Sequence, residues 1–157
     1  MKYNCPMIVV SDMEKTVEFY KNVLGLDVIQ DFGANKTLTG GISLQTEESY
    51  KEFIGKDRIA YGGDNFELYF EEDEIDAFFE KLKEFNVELV HPVQEHSWGQ
   101  RAVRFYDPDR NIIEVGESLQ AVCSRFSASG MNADEIAARM DVPLDMVEYW
   151  LLDLDRR

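Results

Sequence analysis

Histidine, cysteine and basic charge are all scarce in this chain. Its 157 residues include two histidines, two cysteines and 16 lysines and arginines, against 31 aspartates and glutamates. A net charge of −15 with no basic patch repels polyphosphate and anionic lipid, so neither nucleic acid nor a membrane surface is an expected partner. No window holds the roughly 18 consecutive apolar residues of a membrane span, and the N-terminus opens directly as a strand. A cytoplasmic protein is therefore expected. Cys5 and Cys123 are far apart and in no metal-binding pair motif, which makes two reduced thiols the default. A GxSxG elbow, a glycine-rich loop ending in Lys-Ser or Lys-Thr, a GxGxxG after a strand and a CxxC pair are also missing. Gly40-Gly41 and Gly62-Gly63 read as turns.

What remains is a globular composition, 45% hydrophobic and 12% aromatic with ten phenylalanines. The length suits one domain, or one domain with an appendage, able to bury about two-thirds of its unfolded surface. The densest stretch is 98–116, WGQRAVRFYDPDRNIIEVG. Asp107-Pro108-Asp109 is a turn, because Pro108 presets φ and the aspartates can accept from nearby backbone N–H groups. It joins a strand holding Val103 and Phe105 to one holding Ile112, Ile113 and Val115, with the carboxylate of Glu114 among them. Glu114 either faces water, pairs with an arginine such as Arg104 across the hairpin, or points into a cavity and binds a ligand.

Two segments follow one pattern. Residues 5–10, CPMIVV, read as a strand, and Ser11 with Glu14 has the form of a capping box for a helix. In that helix Met13, Val17, Tyr20 and Leu24 recur at helical spacing until Gly25. Strands are expected at 28–32, around 36–39 and at 42–46, and a short surface helix at 47–55. The pattern restarts with alternation over 65–71, where Phe66, Leu68 and Phe70 oppose Glu67, Tyr69 and Glu71. The amphipathic helix EIDAFFEKLKEF follows, then strands at 87–90, 102–106 and 112–116. The order is βαβββ twice, with a period near 60 residues. The fold class is therefore α+β, two βαβββ modules (about 3–46 and 64–117) pairing into a cupped mixed sheet around a central cavity, a natural ligand site. Residues 1–117 form this domain and 118–157 a C-terminal helical extension.

The stretches VVSDMEKTVEFYKNVLGL and WGQRAVRFYDPDRNIIEV resemble the vicinal oxygen chelate superfamily of glyoxalases, bleomycin- and fosfomycin-resistance proteins and extradiol dioxygenases. The resemblance covers roughly residues 3–117. It implies a metal ligand on the first and last strand of each module, usually histidine or glutamate. By spacing these positions fall on Cys5, Ser43, Glu67 and Glu114, of which only Glu114 matches cleanly. Cys5, Glu67 and Glu114 offer one soft thiolate and two hard oxygens, a mixture that no common divalent metal strongly prefers. As a free cysteine, Cys5 reads as a small buried hydrophobe ahead of a metal ligand.

His91 and His96 bracket Pro92 in a loop, HPVQEHSWGQR. His96 is the better site candidate, beside Trp98, which can wall a pocket, and near Gln100 and Arg101, which can orient an anionic group. The bland alternative has Trp98 plugging the sheet rim. Site expectations are thus Glu114 and Glu67 as catalytic carboxylates, Trp98, Arg101, Tyr69, His96 and Ser43 as ligand contacts, and Glu114, Glu67 and Cys5 as ligands to a divalent metal.

From Ser118 the composition turns helical, with a second capping-box pattern at Asn132 and Glu135 and a last helix opened by Pro143. Its two last helices have the outline of a helix-turn-helix, but four arginines against seven acids give −3, the wrong sign for DNA. The apolar stripe with Trp150 is expected to dock on the body or on a second subunit of a homodimer. Two functions stay open. One is small-molecule binding with divergent metal-dependent lyase, isomerase or oxygenase chemistry. The other is metal-free sequestration or sensing of a metabolite, with the tail making protein contacts.

Overall fold

The computed structural model describes residues 1–154. Asp155, Arg156 and Arg157, counted in the tail charge, lie outside the described residues. The chain forms two compact units, Met1–Glu67 with Tyr106–Ile112, and Leu68–Phe105 with the segment from Ile113 onward.

The first unit holds β1 (Met7–Val10), α1 (Met13–Leu24), β2 (Val28–Asp31), β3 (Asn35–Leu38), β4 (Ser43–Thr46) and α2 (Glu47–Ile54). Its sheet has the order β1-β4-β3-β2, with β1 parallel to β4 and the remaining pairs antiparallel. Alternation puts Ile8, Val10 and Leu44 into a core with Tyr20, Val23 and Leu38. Met7 and Val9, in register with Ser43 and Gln45, belong to the other face. Strand β1 begins at Met7, so Cys5 precedes it.

The Ser11 capping box does not form. The N-cap is Asp12, which accepts from Lys15 N at 3.0 Å, while Glu14 pairs with Lys36. Ser11 is drawn instead to Asp109, which accepts from both its backbone N–H and its hydroxyl. The 107–109 turn has the expected chemistry: Asp107 accepts from Asp109 N and Asn111 N at 2.9 and 2.8 Å. The Tyr20 hydroxyl adds a fourth donor, after Asn111 Nδ2, at 3.0 Å. Burial pushes Asp107 above the usual carboxylate range, and burial with the charge of Asp107 pushes Tyr20 up as well.

The second unit contains most of β5 (Glu67–Glu71), then α3 (Ile75–Glu84), β6 (Leu89–Glu95), most of β7 (Arg101–Tyr106) and of β8 (Ile112–Gly116), α4 (Leu119–Ala128), α5 (Ala133–Met140) and α6 (Leu144–Leu154). Its strand order, β5-β8-β7-β6, repeats that of the first sheet. One face carries Leu68, Val103, Phe105, Ile113 and Val115, and Phe78 of α3 meets Phe105 at 6.0 Å between ring centroids. Strand β6 runs through Glu95, so His91 and Pro92 are in a strand and not in the expected loop. Pro92 is tolerated there because β6 is an edge strand with two register shifts against β7.

The tail builds its own core from Val122, Cys123, Phe126, Ile136, Met140 and Val147. Trp150, half-buried, packs against this core. The Asn132–Glu135 capping box forms as the spacing requires.

Candidate functional site

The hairpin places Glu114. Asp107 N donates to Asn111 O at one end and Glu117 N to Arg101 O at the other, both 3.0 Å. In the antiparallel ladder between them, Arg104 stands directly opposite Glu114. The guanidinium forms an ion pair with Glu114 Oε2, and Glu114 is only 5% exposed. On the other side of β7, Arg104 is in register with His91, whose Nε2 lies 3.3 Å from Arg104 Nη1. His91, Arg104 and Glu114 thus make a row across three strands on the face opposite Ile113 and Phe105. Of the readings open for Glu114, the Arg104 pair is realised and full exposure to water is not.

A second strip lies on this face. The Cβ direction at Gly116, two residues past Glu114, points at Gln100 Nε2 (3.2 Å) and Tyr69 Cε2 (3.5 Å). A Cβ there would press on the Gln100 amide, which would have to give by a few tenths of an ångström. The Gln100 amide, 6% exposed, accepts from Trp98 Nε1 at 3.1 Å and donates to the Tyr69 hydroxyl (2.9 Å) and to Glu117 O (2.7 Å). The His96 ring stacks on Trp98 with centroids 4.4 Å apart. Burial holds the Tyr69 phenol above its usual pKa, so it stays a neutral hydroxyl at physiological pH.

Arg101 is engaged elsewhere. Alternation sends it to the α3 side, where it donates to Asp76 (2.9 Å) and to Glu117 through Nε (2.9 Å) and Nη2 (2.7 Å). Arg125 of α4 adds a donor to Glu117 at 3.0 Å. Burial alone would raise the Glu117 carboxyl, but its hydrogen bonds from Arg101 and Arg125 prevail and hold it below the usual range. Sequence reasoning missed Glu117, and the signal available was a pair of arginines, Arg101 and Arg125, kept in so acidic a chain.

The remaining sequence candidates are in the first unit. Ser43 is buried and accepts from Asn35 Nδ2 at 3.0 Å, and the same amide donates to Gln45 at 2.9 Å. Cys5 is half-buried and accepts a contact from Asn4 Nδ2 at 3.5 Å. Glu67 is exposed and lines a cleft of about 330 Å³ with Asp64, Asn65, Phe66 and Ile112. Another cleft, about 770 Å³, is bordered by Glu47, Lys51 and Lys56 among others and includes none of the sequence candidates. There Lys51 is already paired with Glu47.

The metal that the resemblance implies does not fit these residues. A guanidinium already pairs with Glu114, the oxygen of Ser43 is held by Asn35, and Cys5 precedes its strand. Among the described residues no group of three or more His, Cys, Asp or Glu is placed to hold a metal ion.

Two four-stranded sheets of identical strand order, each with a helix after its first strand, are the fold of the vicinal oxygen chelate superfamily. The model of the glyoxalase-like domain matches residues 3–120, and the chain belongs to that family. It is 30% identical to uncharacterized protein YraH of Bacillus subtilis (strain 168) over 126 residues, which span 71% of this chain and 94% of that protein. It is 27% identical to metallothiol transferase FosB of Lysinibacillus sphaericus (strain C3-41) over 106 residues, 67% of this chain and 74% of that one. A crystal structure of a protein of unknown function from Agrobacterium tumefaciens str. C58 superposes with a TM-score of 0.68 at 38% identity, covering 75% of this chain and 94% of that chain. The family match ends at residue 120, so most of α4 and all of α5 and α6 lie beyond it. No helix among the described residues is long and apolar enough to cross a membrane.

Proposed function

We propose that this glyoxalase-like protein binds a small organic molecule on the polar face of its second sheet, and that Arg104 supplies there the positive charge a divalent metal would otherwise supply. The observation that carries this reading is the Arg104–Glu114 pair. A buried carboxylate needs a cation or hydrogen-bond donors, and a guanidinium offers both through its N–H groups. Such a site recognises ligand oxygens by hydrogen bonding. It does not offer the open coordination positions of a catalytic metal. The name metallothiol transferase, borne by relatives, points to a metal, and the Arg104 pair argues against carrying that chemistry over.

The test is a metabolite screen by thermal shift in the presence of EDTA, repeated on Arg104→Lys, which keeps the charge but not the planar fork. A ligand that stabilises the wild type in EDTA and binds at least about tenfold more weakly to Arg104→Lys supports the reading, a loss equal to one charge-assisted hydrogen bond. Binding that appears only when a divalent metal is added overturns it. Size-exclusion chromatography with light scattering tests the homodimer expected from the sequence.

A further inference from the structure

Tyr69 and Trp98 are both well exposed but are each tied down by their polar atom. They are 48% and 38% exposed, yet the polar atom of each is bonded to one buried amide, that of Gln100. Their handles satisfied, both side chains keep part of their ring surface in solvent, while one face of the Trp98 indole is covered by the stacked His96 ring. The loop that carries Trp98 is fixed a second time, from the tail. Arg125 donates to Gly99 O, Arg139 donates to Ser97 O, and both arginines pair with Glu95. Gly99, at φ +90°, lies against the Phe126 ring so closely that a Cβ would sit 2.3 Å from Cζ. Thus α4 and α5 grip both sides of the turn that carries Trp98. The family match stops at residue 120 and does not include Arg125, Phe126 or Arg139.

A ring immobilised before binding loses little entropy on contact, and a flat π-surface favours an offset flat partner over a puckered one of the same size. We propose that Tyr69 and Trp98 form a stacking platform for a flat, unsaturated group of the ligand, and that Arg125, Phe126 and Arg139 are positioning residues for it. This rests on the binding function above and adds the ligand's class. Because the platform and the His91–Arg104–Glu114 row share one sheet face, the molecule bound combines a flat unsaturated portion with a polar, oxygen-bearing portion.

The experiment compares two neutral probes of similar size, naphthalene-2-carboxamide and cyclohexanecarboxamide, by isothermal titration calorimetry on the full chain. The platform predicts tighter binding of the flat probe by about three- to tenfold, a preference abolished in Trp98→Leu, which keeps apolar bulk without a flat face. For the tail, time-resolved anisotropy of Trp98 is read in a Trp150→Phe background. Arg139→Ala and Phe126→Leu are expected to add a fast ring motion absent from the parent, with the helical circular dichroism unchanged for Arg139→Ala. Equal affinity for the two probes, no binding of either, or a preference that survives Trp98→Leu overturns the platform. Unchanged anisotropy in both tail variants overturns the positioning role. If both probes bind equally and are both weakened in Arg104→Lys, the platform fails while the binding function stands.

Discussion

Replacing Glu117 by glutamine removes the charge at the centre of the second unit's ion-pair cluster. Glu117 is 2% exposed and accepts from Arg101 N, Nε and Nη2 and from Arg125 Nη2, at 2.7–3.0 Å. Breaking a fully buried pair costs about 3–5 kcal/mol. Here both arginines keep about a quarter to a third of their side-chain surface in water, so they can be partly resolvated and the expected loss is nearer 2–3 kcal/mol. Glutamine also presents an NH₂ where only donors approach, which prevents full retention of the hydrogen bonds. Urea unfolding followed by circular dichroism measures the difference at constant m-value, and thermal unfolding should show a fall of about 4–12 °C. The sign with pH is fixed by the lowered Glu117 carboxyl. A group whose folded pKa lies below its unfolded value contributes stability above the unfolded pKa and loses it as pH falls through the folded one. The gap between wild type and Glu117→Gln is therefore full at pH 7 and narrows as pH drops below about 5. A loss under about 0.5 kcal/mol at pH 7, or a gap that does not change with pH, would refute the reasoning.

Two further substitutions test local structure. Gly99→Ala places a Cβ into the Phe126 ring at a positive φ, so a loss of about 1–3 kcal/mol is expected, read as a lowered melting temperature. Phe126→Leu should recover part of it, and no change in melting would contradict the close approach. Asp12→Ala should cost α1 about 1 kcal/mol through its lost cap. Ser11→Ala should cost about as much by removing the hydroxyl bond to Asp109. Were Ser11 the cap, Asp12→Ala would be neutral in the same unfolding assay.

Much of the fold was readable because local chemistry and tertiary structure agree. The two βαβββ runs, the 107–109 turn and the Asn132–Glu135 box each rest on neighbours within a few residues. The readings that failed met a partner far along the chain. Ser11 and Glu14 have the local form of a capping box, but Asp109, 98 residues away, takes the serine. Pro92 reads as a loop marker unless β6 is known to be an edge strand, which depends on sheet order. At the site, Glu114 was conspicuous as an acid among apolar residues, and the turn made Arg104 its natural partner. Gln100, by contrast, reads from the sequence as a group beside Trp98 that could orient an anionic part of a ligand, whereas its amide is taken up by Trp98, Tyr69 and Glu117 O. That bridging role depends on Tyr69, 31 residues earlier, and is eased by the missing side chain at Gly116. Glu117 stood in a Gly-Glu-Ser sequence that looks like a strand exit, and only the placement of α4 brings Arg125 to it.

The central claim is that a guanidinium takes the place of a metal beside Glu114. It is tested most directly by the metal content of protein purified without a chelating tag, measured by mass spectrometry and paired with melting shifts on adding nickel, zinc, manganese or iron(II). The account predicts far less than one metal per chain and no stabilisation by any of the four. Near-stoichiometric metal that is lost in Glu114→Gln would contradict it.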